Sequence, residues 1–90
     1  MKINPDFILR EVMNIHVIIG IGDEAYTPNA VMSLNETGAF LWKILEGEAG
    51  VTQETLIESL IREYEIDYET AKRDVEIFLN QLRERAMIIE

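Results

Sequence analysis

The chain has no cysteine, only one histidine, and 8 basic residues against 17 acidic ones. Without cysteine there is no disulfide framework, thiolate nucleophile or thiolate metal site, so stability has to come from packing. A single histidine leaves little to build a nucleophile–base pair from, and His16 sits in a β-like run with no acidic residue at local pairing distance. It reads as a half-exposed strand residue, and no enzyme is expected. The formal charge of −9 weighs against nucleic acid, whose phosphates call for clustered Lys and Arg. It suits a basic partner better. No apolar run approaches the roughly 20 residues needed to cross a bilayer, and Lys2-Ile3-Asn4-Pro5-Asp6 is not a signal-peptide core. The expected place is the cytoplasm, away from membranes. The acidic residues Glu63, Glu65, Asp67 and Glu69 lack the alternation and the glycine of a calcium loop, so neither metal nor cofactor is expected.

Ninety residues, 48% of them hydrophobic and 28% charged, make one small globular domain spanning 1–90. No repeat, linker or low-complexity tract divides it. The first third is β-like. Phe7-Ile8-Leu9-Arg10-Glu11-Val12 and Ile15-His16-Val17-Ile18-Ile19-Gly20-Ile21, joined at Met13-Asn14, read as an antiparallel hairpin. Gly22 to Asn29 is loop chemistry, and Ala30-Val31-Met32-Ser33-Leu34 a third short strand. Gly20-Ile21-Gly22-Asp23-Glu24-Ala25 matches the dinucleotide fingerprint, but Asp23 and Glu24 would repel phosphate and Tyr26-Thr27-Pro28-Asn29 cannot readily continue a helix. The two glycines read as a strand end and a turn.

After Asn35 the apolar spacing becomes helical. Three polar caps, each preceded by an apolar residue, mark helix starts at Leu34/Asn35, Val51/Thr52 and Ile66/Asp67, with staple partners at Ala39, Leu56 and Ala71. The helices are expected over about 36–46, 53–64 and 68–86. Leu56, Leu60, Ile61 and Tyr64 share one face, and Ala71, Val75, Phe78, Leu79, Leu82 and Ala86 form another stripe, both read as core. Trp42 is expected to pack in the same core. Met87-Ile88-Ile89 fits a brief terminal strand or a cover for the core edge. The fold class is α+β: a winged helix-turn-helix, with a small three-stranded antiparallel sheet followed by three helices. Such a sheet leaves an edge strand, and Ala30 to Leu34 is the best candidate to accept an added peptide strand, although an ordinary core strand fits the residues slightly better. By this reading, proline at Met32 would remove a donor from that edge. The same order of elements also fits a winged-helix DNA-binding regulator, yet Glu69, Asp74 and Glu76 surround Lys72 and Arg73 and cancel any basic patch.

Leu34-Asn35-Glu36-Thr37-Gly38-Ala39, followed by Leu41-Trp42, Gly47, Glu54-Thr55-Leu56 and a long closing helix, resembles the PqqD family. The likeness runs from Leu9-Arg10-Glu11 to Arg85-Ala86-Met87-Ile88-Ile89. It implies a winged-helix recognition element and peptide chaperone, without catalysis. Such a protein would bind the leader of a ribosomally made precursor peptide and deliver it to a radical S-adenosylmethionine enzyme or another peptide-modifying enzyme. The resemblance also implies where the leader would lie, as a strand added in a cleft. One wall would be Val31, Met32, Ser33 and Leu34, and the other Lys72, Arg73, Val75, Glu76, Leu79 and Asn80. The loop from Gly22 to Asn29 is longer than in the coenzyme PQQ biosynthesis proteins and looks like that of stand-alone relatives in other clusters, so the product is left unnamed.

Overall fold

A computed structural model describes residues 1–22 and 31–90. The expected loop after Gly22, the start of the third strand at Ala30 and the Asp23-Glu24-Ala25 part of the fingerprint match lie outside the described residues. Five strands and three helices follow in the order β1 (Lys2–Ile3), β2 (Phe7–Val12), β3 (Ile15–Gly20), β4 (Val31–Leu34), α1 (Glu36–Gly47), α2 (Gln53–Tyr64), α3 (Tyr68–Glu84) and β5 (Ile88–Ile89). The main sheet is antiparallel in the order β2-β3-β4, and β1 pairs with β5 in a second, two-stranded sheet. This is the α+β arrangement of a three-stranded sheet followed by three helices.

All three helices begin where capping chemistry places them. The Asn35 side chain accepts a hydrogen bond from the Gly38 N–H at 2.7 Å, Thr52 from Thr55 at 3.2 Å, and Asp67 from Thr70 at 3.2 Å. Each satisfies a first-turn donor that the helix itself leaves free. Gly38 fits closely under that cap. A Cβ there would stand 3.2 Å from Asn35 Oδ1 and 3.3 Å from Leu34 Cδ2, so any larger residue would press on the capping oxygen and the end of β4.

Asp67 is exposed, and its carboxylate accepts from the Thr70 hydroxyl at 2.6 Å as well as from the Thr70 N–H. These bonds, the hydroxyl first, hold its pKa below the usual value. The folded state therefore favours the charged form, and this contribution is full above the unfolded pKa of about 3.9 and is lost as pH falls through the lower folded value. Asn caps a helix as well as Asp does but does not titrate. The melting temperature of Asp67→Asn is therefore expected to fall less steeply than that of the parent below about pH 4 in a series of thermal melts.

The helices cover one face of the main sheet around a core that includes Phe7, Ile18, Trp42, Leu45, Leu60 and Leu82. The stripe on α3 is buried at Ala71, Val75, Phe78, Leu79 and Leu82, but it stops there. Ala86 is exposed, with φ +56°, because α3 ends at Glu84 and the chain turns towards β5. On α2, Ile57 joins Leu56 and Leu60 in the core, whereas Tyr64 is exposed and meets Phe40 edge to face, ring centroids 5.6 Å apart. The terminal apolar run does return as a strand, and its partner is the N-terminal Lys2–Ile3. Asn4 reinforces that pairing by donating to the carbonyls of Ala86 and Met87 at 2.8 and 2.9 Å.

Candidate functional site: an open strand edge beside a groove

The β2–β3 hairpin decides which backbone groups of β4 are free. Met13 and Asn14 both have positive φ, +51° and +67°, which makes the two-residue connection a type I′ turn. Such a turn is closed by the hydrogen bond between its flanking residues, Val12 and Ile15. Bonded and non-bonded pairs alternate along an antiparallel ladder, so Arg10–Val17 and Ile8–Ile19 are the next bonded pairs. The Ile21 N–H, which donates to the Asp6 carbonyl at 2.7 Å, continues the same phase. His16 and Ile18 then turn their N–H and C=O groups the other way, towards Leu34 and Met32. Met32 and Leu34 thus spend their backbone groups inside the sheet. Val31 and Ser33 direct theirs off the edge, where no described strand pairs with them.

Beside that edge runs a groove of about 270 Å³. Ser33, Leu34, Asn35, Thr37, Gly38 and Leu41 line it from the strand and the start of α1. Asp74, Ile77, Phe78 and Gln81 line it from α3, at the i, i+3, i+4 and i+7 spacing that shares one helix face. Apolar surface from Ile77 and the edge of Phe78 lies among hydroxyls and amides, and among the described residues Asp74 is the only charged one that lines it. This composition suits an apolar side chain together with a hydrogen-bond donor or a cation. Among the described residues, no group of three or more His, Cys, Asp or Glu could hold a metal ion.

The expected site residues separate in the fold. Ser33 and Leu34 line the groove, Val31 is exposed at the edge, and Met32 points into the core. On α3, Val75 and Leu79 have no exposed surface and belong to the core stripe, so neither can face a cleft. Lys72, Arg73, Glu76 and Asn80 are exposed but do not line the groove, and the Asn80 side chain accepts from Arg83 at 3.1 Å. The groove lies on the other shoulder of the buried stripe from Lys72 and Glu76. The residue that spacing alone passed over is Ile77, an isoleucine outside that stripe and 53% exposed. Its position one step from Phe78 is the signal that could have identified it.

The sequence model of the family described as coenzyme PQQ synthesis protein D (PqqD) matches residues 16–88. The chain belongs to the PqqD family. The match begins in β3 and includes β4, α1 and α3, and therefore both walls of the groove. No curated protein matches this PqqD-family chain. Two solved structures share its fold. TbiB1 in complex with the TbiA(beta) leader peptide aligns with TM-score 0.73 at 23% identity, over 97% of this chain and 93% of that one. Lasso peptide synthetase B1 complexed with the leader peptide aligns with TM-score 0.75 at 21% identity, over 99% and 96%.

Proposed function

We propose that this PqqD-family protein is a recognition element without chemistry of its own. It binds the leader segment of a ribosomally made precursor peptide as an added strand on β4 and presents it to the enzyme that matures the peptide. The observation that carries the reading is the free backbone of Val31 and Ser33 directly beside a groove walled by Asp74, Ile77, Phe78 and Gln81. An extended peptide completing the ladder would gain main-chain hydrogen bonds with little demand on sequence, while alternate side chains would enter the groove and supply specificity. The preferred leader would place an apolar residue against Ile77 and Phe78, with a basic or donor residue within reach of Asp74. Two structures of the same fold support the reading, each being a complex with a leader peptide. His16, on β3 opposite Leu34, is not among the groove-lining residues, and the reading gives it no catalytic role.

A DNA-binding role has less support. The exposed positions of α3 mix Lys72, Arg73 and Arg83 with Glu69, Glu76 and Glu84, which leaves no basic stripe for phosphates. The test is fluorescence anisotropy of a labelled leader peptide, with the leaders of the TbiA(beta) type and of any short precursor found near the gene as probes and a DNA duplex in parallel. Saturable 1:1 binding of the peptide is expected, and Ile77→Glu should weaken it by roughly tenfold, about the loss of one apolar anchor. Ile77 is half exposed, so this variant should fold. Binding of the duplex that collapses with salt, with no binding of the peptide, would replace this reading by the regulator.

A further inference from the structure

Only one face of the main sheet is covered by helices. Strand alternation sends Phe7, Ile18, Met32 and Leu34 to the helix side and Ile8, Val12, Ile15, Val17, Ile19 and Val31 to the other. Val12, Ile15 and Val31 are 50, 54 and 61% exposed there, where a solvated antiparallel face would ordinarily be polar. Two further residues complete the outer face in one cross-strand row, Arg10–Val17–Ser33. In a chain with 17 acidic residues, this face carries no carboxylate from any of the three strands. The Arg10 side chain makes no ion pair among the described residues.

We propose that this face docks a second copy of the chain, the two sheets stacking as the layers of a small sandwich. Charge selects this occupant. Two copies of net charge −9 repel in most orientations, but here the three strands of each copy bring no carboxylate to the contact. A two-fold axis parallel to β3 lays β2 of one copy over β4 of the other. Because Arg10 and Ser33 share a row, the guanidinium then faces the Ser33 hydroxyl of the second copy, a donor over an acceptor, while Val17 meets Val17. Three strands about 4.8 Å apart and about 20 Å long present roughly 300 Å² in projection. That is an interaction-sized patch, but smaller than the roughly 800 Å² per partner of a stable dimer, so the assembly is reversible and depends on concentration. Stacking uses side chains of the outer face and leaves the edge backbone open, and Ser33 is the one groove-lining residue it takes. The inference shares only that residue with the leader-binding reading.

Sedimentation velocity of the full chain from about 10 to 500 μM tests it, this being the range in which weak complexes populate. A monomer–dimer equilibrium is expected that tightens as salt is raised, since screening removes the mutual repulsion. Ile15→Glu, at an exposed position, should shift the equilibrium at least tenfold towards monomer, while Ile77→Glu, on the helix side, should leave it unchanged. A monomer at every concentration overturns the proposal, and would fit a face reserved for a different protein. A dimer lost in Ile77→Glu but kept in Ile15→Glu overturns it equally, because the contact would then lie at the groove.

Discussion

Ser33→Pro is expected to fold normally and to bind leader peptide roughly five- to a hundredfold more weakly, a loss of about 1–3 kcal/mol. Proline lacks the N–H that Ser33 directs off the β4 edge, so a carbonyl of the incoming strand would be left without its donor. An edge strand tolerates proline where the missing N–H faces solvent, and Met32, the preceding residue, already has the extended conformation that proline imposes on its neighbour. The free protein should lose little. Met32→Pro is the instructive contrast. Side-chain exposure together with the hairpin phase places the Met32 backbone inside the β3–β4 ladder, so proline there removes a bond of the sheet itself. The expectation that Met32→Pro would act on the free edge is corrected accordingly: it should destabilise the domain. Circular dichroism reports folding of both variants and peptide anisotropy reports binding. A folded Ser33→Pro protein with full affinity would remove strand addition from the account.

Trp42→Ala is expected to have the largest effect on stability, about 3–5 kcal/mol. Trp42 has no exposed surface, and its indole Nε1–H donates to Glu46 Oε1 at 2.8 Å one helical turn on. Truncation would remove the bulkiest fully buried side chain of the core and leave a void between α1 and the elements around it. A domain of this size has only about 5–15 kcal/mol in total, and each kcal/mol corresponds to roughly 4–8 °C, so the midpoint should fall by about 15–30 °C. Trp42 does not line the groove. At a temperature where the variant is folded, its leader affinity should therefore stay close to that of the parent. A melt shifted by only a few degrees would mean that the core relaxes around the loss far better than its packing implies.

The parts of this fold that were legible in the sequence are those set by local chemistry. Asn35, Thr52 and Asp67 marked the helix starts because a cap acts within three residues, and the α3 stripe at Ala71, Val75, Phe78, Leu79 and Leu82 follows from periodicity alone. The pairing of Lys2–Ile3 with Ile88–Ile89 could not be read, because two-residue strands at opposite ends of the chain carry no turn signal. The groove wall was misplaced for a related reason. Periodicity identifies the buried stripe of a helix, but which shoulder borders a neighbouring element is decided by docking, and one residue corresponds to about 100° of rotation. Lys72, Arg73, Glu76 and Asn80 were the expected wall, whereas Asp74, Ile77, Phe78 and Gln81 are the ones that line the groove. The phase of the free edge was hidden as well, since it depends on how the Met13-Asn14 turn closes two strands away.

The most direct test of the central claim is amide hydrogen exchange along β4, followed by NMR with and without leader peptide. In the free protein the Val31 and Ser33 amides should exchange quickly and those of Met32 and Leu34 slowly. Adding peptide should slow Val31 and Ser33 markedly and shift Ile77 and Phe78 resonances on the facing helix. Unchanged exchange at Val31 and Ser33 with peptide bound to saturation would contradict strand addition at this edge.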